Sequence, residues 1–150
     1  MIRPMSGEEL GKHVQVILPL AVEQWDDLNL WVKPESVLDT CRFLKEAQGL
    51  EFDLLNSISA VDYVEQFELV YHLTSTLHKH SAVLKTKVFD RATPTVPSVV
   101  SVWQGADFQE REIWDLMGVT FPGHPNLKRI MLWEGFQGHP LRRDYLEPPR

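Results

Sequence analysis

A single cysteine, Cys41, occurs in 150 residues, and that scarcity removes several chemistries at once. One thiol forms no intrachain disulfide, and a four-thiolate zinc or iron–sulfur site cannot be assembled from this chain by itself. Basic residues are also in deficit. Fifteen Lys and Arg against 21 Asp and Glu leave a formal net charge of −6, which disfavours a nucleic-acid module. No stretch approaches the roughly 20 apolar residues that cross a bilayer, and the opening MIRPMSGEEL lacks the apolar centre of a secretion signal. Membrane attachment is therefore expected only through other proteins. Neither a GxGxxG nor a P-loop pattern is found, so no dinucleotide fold or phosphate loop is signalled, and HExxH and CxxC are missing as well.

What remains is a composition close to that of ordinary globular domains, 43% apolar and 24% charged, at a length that suits one core. Ser6 followed by Glu9 has the spacing of a capping box for a short opening helix, after which Val14 to Leu18 reads as β-rich. Leu28 to Val32 alternates as a strand, and Pro34-Glu35 then opens a helix on which Val37, Leu38, Cys41, Leu44 and Ala47 form one apolar stripe ending at Gly49. Cys41 is thus expected to be buried. Phe52 to Val61, Gln66 to Thr74 and His80 to Phe89 carry strand character, the last two as antiparallel neighbours. Ser98 and Asp107 are candidate caps for a short and a longer helix, the second supported by Glu110 at capping-box spacing, by Asp107–Arg111 and Arg111–Asp115 pairs, and by Gly118 as its stop. The fold expected is α+β, with helices packed on a mixed or antiparallel sheet of about four strands. Its domain runs over 1–117, and an extended, Pro/Gly-rich arm follows over 118–150. That arm holds five prolines and four glycines, has no sustained period, and is too apolar for a solvated linker, so it should pack on a partner.

Several clusters invite a chemical role. Glu110, Glu112 and Asp115 sit close together on the longer helix, as acid–base carboxylates must, but charges near a helix start that pair with Arg111 account for them more simply. His124 and His139 with nearby carboxylates offer a metal-dependent hydrolase as a rival reading, although their spacing matches no known ligand pattern. The repeated Gly-His-Pro at 123–125 and 138–140 is turn chemistry, with glycine freeing φ and proline fixing it. The five tryptophans fit core and interface packing better than a stacking surface.

Past the longer helix a specific series appears: Glu110-Arg111-Glu112, Asp115-Leu116-Met117, His124, Lys128-Arg129-Ile130-Met131, and Gly138-His139-Pro140-Leu141-Arg142-Arg143-Asp144-Tyr145. With Val96-Pro97-Ser98 and Trp103 before it, this series resembles the 30-kDa subunit family of respiratory complex I, which includes the C subunit of bacterial NADH–quinone oxidoreductase and the J subunit of the cyanobacterial and plastid enzyme. Val61-Asp62-Tyr63 and Leu69 to Leu73 resemble the family more loosely, the residues before Val61 carry little of its signature, and Arg143 stands where members frequently have lysine.

The resemblance implies a peripheral-arm subunit with no catalytic residue and no cofactor of its own, the FMN, iron–sulfur clusters and quinone belonging to partner subunits. It further implies a place against the subunit that holds the terminal iron–sulfur cluster and against the 49-kDa, quinone-site subunit, with other peripheral-arm subunits nearby, on the cytoplasmic side of an energy-transducing membrane. The residues expected at partner interfaces are Glu110, Arg111, Glu112, Asp115, His124, Lys128, Arg129, Trp133, Arg142, Arg143, Asp144 and Tyr145. Arg129 and Arg142 are expected to grip carboxylates, while Trp133, Phe136 and Tyr145 serve as aromatic anchors. A hydrogenase or ferredoxin-dependent relative of the complex would use the same scaffold.

Overall fold

The computed structural model describes residues 1–146, so the last four positions of the expected 118–150 arm, Glu147 to Arg150, lie outside the described residues. In chain order the elements are β1 (Arg3–Pro4), α1 (Gly7–Ile17), β2 (Val22–Trp25), β3 (Asn29–Val32), a 3-10 turn (Pro34–Ser36), α2 (Val37–Glu46), β4 (Leu54–Asp62), β5 (Phe67–Ser75), β6 (His80–Val88) and α3 (Ala106–Met117). The strands form one mixed sheet in the order β2-β3-β6-β5-β4, with β1 added parallel to β6 ahead of β3. The fold is α+β as expected, but the sheet has six strands rather than about four. The two-residue β1 and the four-residue β2 are too short to show a period, and only their pairing with distant residues defines them.

The β-rich stretch at Val14 to Leu18 is instead the last turns of α1 and its cap. Ser6 starts the helix by accepting the Glu9 N–H at 3.1 Å, and Leu10, Gly11 and Val14 then fall on one face, where tertiary burial outweighs the β preference of Val and Ile. Gly7 and Gly11 permit the close approach. A Cβ on Gly7 would lie 2.1 Å from the Asn29 carbonyl oxygen and 2.4 Å from that of Asp26. Gly7→Ala should therefore push the start of α1 off the sheet and cost about 1–3 kcal/mol, read as a lowered Tm with little change in far-UV circular dichroism.

The stripe on α2 is confirmed, and Cys41 and Leu44 are wholly buried. The helix stops at Glu46, however, with Ala47 as its C-cap, so Gly49 shapes the following turn instead of ending the helix. The three long strands match their expected segments, and β5 and β6 pair antiparallel over their full length, from Phe67↔Val88 to Ser75↔His80. Phe52, Phe67, Leu69, Tyr71, Leu73 and Leu84 fill the layer between sheet and helices.

Two helix-start expectations fail for one physical reason. Ser98 begins no helix, and Asp107 lies inside α3, whose N-cap is Gly105 with no side-chain cap. The carboxylate meant to complete a capping box points elsewhere: Glu110 accepts the Ser98 hydroxyl at 2.6 Å and the Val99 N–H at 2.8 Å. A buried loop N–H needs an acceptor more than a solvated helix start does. Gly118 does end α3, in the left-handed region at φ 81°, and its N–H donates back to Trp114 O.

Candidate functional site

A carboxylate in the last turn of a helix opposes the macrodipole, and α3 has no basic residue there to offset it. Asp115 nevertheless shows no exposed side-chain surface, so its charge must be met from outside the helix. The chain after Gly118 folds back to do this. Arg129 Nη1 donates to Asp115 Oδ1 at 2.6 Å, while Oδ2 accepts three successive backbone N–H groups, those of Ile130, Met131 and Leu132, at 2.8–3.0 Å. Burial alone would raise the Asp115 pKa, but the guanidinium and the three amides outweigh it and hold the carboxyl below its ordinary value.

The remaining donors of Arg129 fasten the next stretch. Nη2 donates to Phe136 O at 2.8 Å and Gly138 O at 3.0 Å, with the guanidinium over the Trp114 and Phe136 rings. His139 Nδ1 and Arg129 Nη1 both donate to the Asp115 carbonyl, and the Leu141 N–H donates to Leu116 O. Arg111 forms neither expected helix pair; it reaches forward to Lys128 O and Arg129 O. Residues 128–141 are thereby strapped to the second half of α3.

A second hub holds the end of the strap. Asp62 closes β4 and receives Arg91 through two bonds of 2.7 and 2.9 Å, together with the backbone N–H groups of Arg143 and Val64. Arg142 grips Asp144 through Nε and Nη2 at 2.7 and 2.8 Å and donates to Arg91 O, and Arg91 in turn reaches Asp144 at 3.1 Å. Both guanidinium groups lie over the Phe67 ring, at 4.6 and 5.0 Å. The Arg91 contact holds the Asp62 carboxyl well below the usual carboxylate range, and the Arg142 contact does the same for Asp144.

The sequence-derived site residues thus divide by role. Asp115, Arg129, Arg142 and Asp144 are brought together, but within this chain: the carboxylates that Arg129 and Arg142 grip are its own. Glu110 is buried against the Ser98 loop, and Arg143 enters the second hub through its backbone. Tyr145 packs its ring on Gly138 and donates its hydroxyl to Gln137 O at 3.4 Å. Lys128 offers Arg111 its carbonyl, and Glu112 stays on the exposed face of α3. Trp133 is 69% exposed, with Met131, Leu141 and Leu146 also outward. Asp62 is legible in the sequence only as part of Val61-Asp62-Tyr63, and Arg91 carries no sequence signal because its partners are 29 and 53 residues away.

The histidines of the hydrolase reading sit at opposite ends of α3. His124 Nε2 lies 3.2 Å from Asp107 O and 3.0 Å from Asp107 Oδ1 while Nδ1 accepts the Asn126 N–H, and His139 is held at Asp115. Among the described residues no group of three His, Cys, Asp or Glu is placed to hold a metal ion. Cys41 is buried and burial pushes its thiol far up, so it should resist thiol reagents. Titration with a chromogenic disulfide should find essentially no reactive thiol in native protein and one equivalent after denaturation.

The family model described as respiratory-chain NADH dehydrogenase, 30 Kd subunit, matches residues 30–149. The second C-type subunit of NADH-quinone oxidoreductase from Rhizobium meliloti (strain 1021) is 46% identical over 117 residues, covering 76% of this chain and 63% of that protein. The C-type subunit of the same enzyme from Roseiflexus sp. (strain RS-1) is 43% identical over 121 residues, covering 79% and 69%. The match therefore spans just under two thirds of the rhizobial relatives' length. Among solved structures, a chain of the membrane-bound sulfane sulfur reductase, an archaeal respiratory membrane complex, superimposes with a TM-score of 0.70 at 31% identity, over 93% of this chain and 85% of that one.

Proposed function

The chain belongs to the 30-kDa subunit family of respiratory-chain NADH dehydrogenase, and from that premise we propose that it is a cofactor-free peripheral-arm subunit of a proton-pumping NADH–quinone oxidoreductase. It braces the subunit that holds the terminal iron–sulfur cluster and the 49-kDa, quinone-site subunit while electrons pass from NADH to quinone, and it catalyses no step itself. The FMN, clusters and quinone lie in partner subunits, on the cytoplasmic side of the membrane. No helix among the described residues is long and apolar enough to cross a membrane, which fits attachment through other subunits.

The observation that carries this reading is the exposed apolar set of Met131, Trp133 and Leu141 on a strap that two buried-carboxylate hubs hold in place. Aromatic side chains presented by a rigid frame bind partners at low entropic cost, since little ordering remains to be done on association. The lone, buried Cys41 supports the cofactor-free part, because a cluster needs several accessible thiolates. Bracing suits the task, because electron transfer requires redox groups at fixed separations. Within this assignment the site residues divide into those that set the strap, led by Asp115, Arg129, Arg142 and Asp144, and those that meet partners, led by Trp133.

The test is affinity purification of the tagged chain from detergent-solubilised membranes, with identification of the accompanying subunits and an NADH–quinone assay. Trp133→Ala should leave the isolated chain's Tm within about 1 °C yet reduce recovered complex and activity severalfold, as for loss of an interface hot spot. Unchanged recovery and activity would remove Trp133 from the interface. A second reading keeps the scaffold role in a hydrogenase or ferredoxin-dependent relative; the likeness to a chain of the archaeal reductase, another respiratory membrane complex, supports a scaffold shared between such complexes, and the partners' identities separate the two readings.

A further inference from the structure

We infer that the groove between the open edge of β4 and α3 takes an extended segment of a partner polypeptide as an additional strand of the sheet. The inference rests on the subunit reading above. In the order β2-β3-β6-β5-β4, β4 is the terminal strand, paired on one side with β5 from Leu54↔Thr74 to Asp62↔Phe67. Alternate residues of an antiparallel strand direct their N–H and C=O groups inward and outward. Tyr63 N–H bonds Gln66 O at 2.9 Å, so positions 63, 61 and 59 face β5, and Asp62, Ala60 and Ile58 face the open side. Ile58 fixes the same phase, since its N–H donates outward to the side-chain Oε1 of Gln109 on α3. The Gln109 amide thus supplies one of the bonds that a neighbouring strand would make. The next outward donor, Ala60 N–H, meets no acceptor in a loop or side chain among the described residues.

Beside this edge lies a groove of about 230 Å³ whose walls include Ala60, Gln109, Glu112, Ile113, Leu116 and Leu141. Its chemistry suits one occupant: backbone groups in register for β4, apolar side chains against Leu116 and Leu141, and a cation for Glu112. Past the irregularity of the ladder between Leu55 and Ser57, the edge lacks the charges and prolines that usually guard sheet edges. Leu54–Asp62 is nine residues long and has no Pro and no Lys; its only charge, Asp62, is engaged by Arg91. The opposite edge, β2, is four residues and carries Glu23. A second copy is a poor occupant, since pairing two β4 edges would set Glu112 against Glu112 in a chain of net charge −6. A strand bearing Lys or Arg from another subunit matches the groove in both hydrogen bonding and charge.

Hydrogen exchange separates the outcomes. The Ala60 amide should exchange quickly in the isolated chain and roughly tenfold or more slowly in the purified complex, while the Ser59 and Val61 amides, already bonded to β5, change little. Equal Ala60 exchange in chain and complex overturns the inference while leaving the subunit reading intact. Protection accompanied by dimerisation of the isolated chain in sedimentation overturns the choice of partner, and a tagged chain that recovers no partner removes this inference together with the function it rests on. Ala60→Pro deletes the outward N–H without touching the inward ladder, and Pro is tolerated at such edge positions. The variant should fold alone and lose complex recovery severalfold; undiminished recovery counts against the strand. If the variant does not fold, exchange in the unaltered chain still decides.

Discussion

Asp115→Ala should destabilise the chain by about 3–5 kcal/mol, because it removes the buried partner of the Arg129 guanidinium and orphans three successive amides, those of Ile130 to Leu132. The loss should be graded along the chain. Exchange should accelerate most over residues 128–141, which depend on Asp115 and Arg129, while the central strands stay protected. Asp115→Asn is a sharper version, since it keeps the volume but turns one oxygen into a donor facing donors. Thermal unfolding with exchange mass spectrometry checks both variants; a Tm within about 1 °C of the parent and an unaltered strap would show that Asp115 does not anchor it. If the strap presents Trp133 to a partner, the same variants should also reduce assembly.

Glu110→Ala should cost about 2–4 kcal/mol, from the cavity it leaves and from the Val99 N–H stranded without an acceptor. Glu110→Gln divides the charge from the shape. Burial pushes the Glu110 carboxyl above its ordinary pKa, opposed by the hydrogen bonds from Ser98 and Val99. A folded pKa raised above the unfolded one means stability that is full below the unfolded value, near 4, and is lost as pH rises through the folded value. Glu110→Gln should therefore flatten the decline of stability on the alkaline side of that range. Asp62, Asp115 and Asp144 have the opposite sign: their lowered pKa values give stability that is present above about pH 4 and lost as acid protonates them. Denaturant titrations at pH 3, 5 and 7 test the two signs. The parent should weaken sharply at pH 3, and a Glu110→Gln variant that follows the parent's pH dependence throughout would dismiss the buried-charge account.

How far the fold is legible in the sequence follows from how local each signal is. The α2 stripe from Val37 to Leu44 and the three long strands carry their periods within nine or ten residues, so sequence and structure agree on them. Gly118 and the two Gly-His-Pro turns are legible because a positive φ favours glycine at each. Val14 to Ile17 misleads because β-branched residues suggest a strand, whereas the Ser6 cap and the Gly7 and Gly11 contacts commit the segment to a helix. Glu110 misleads for a related reason: its spacing from Asp107 suits a cap, yet Val99, eleven residues upstream, holds the stronger claim on its carboxylate.

The site shows the division most clearly. The series from Glu110 to Tyr145 identifies the family from sequence alone, because fixed residue types at fixed spacings survive without knowledge of what they touch. Periodicity likewise sets the α+β class, and composition sets the single thiol and the apolar arm. Only the tertiary structure decides that the carboxylates facing Arg129 and Arg142 are Asp115 and Asp144, that Asp62 and Arg91 close a second hub, and that the β4 edge is open. The reason is physical: a buried charge or an unpaired amide takes whichever partner the folded backbone brings within about 3 Å, and that partner can stand 15, 29 or 81 residues away along the chain.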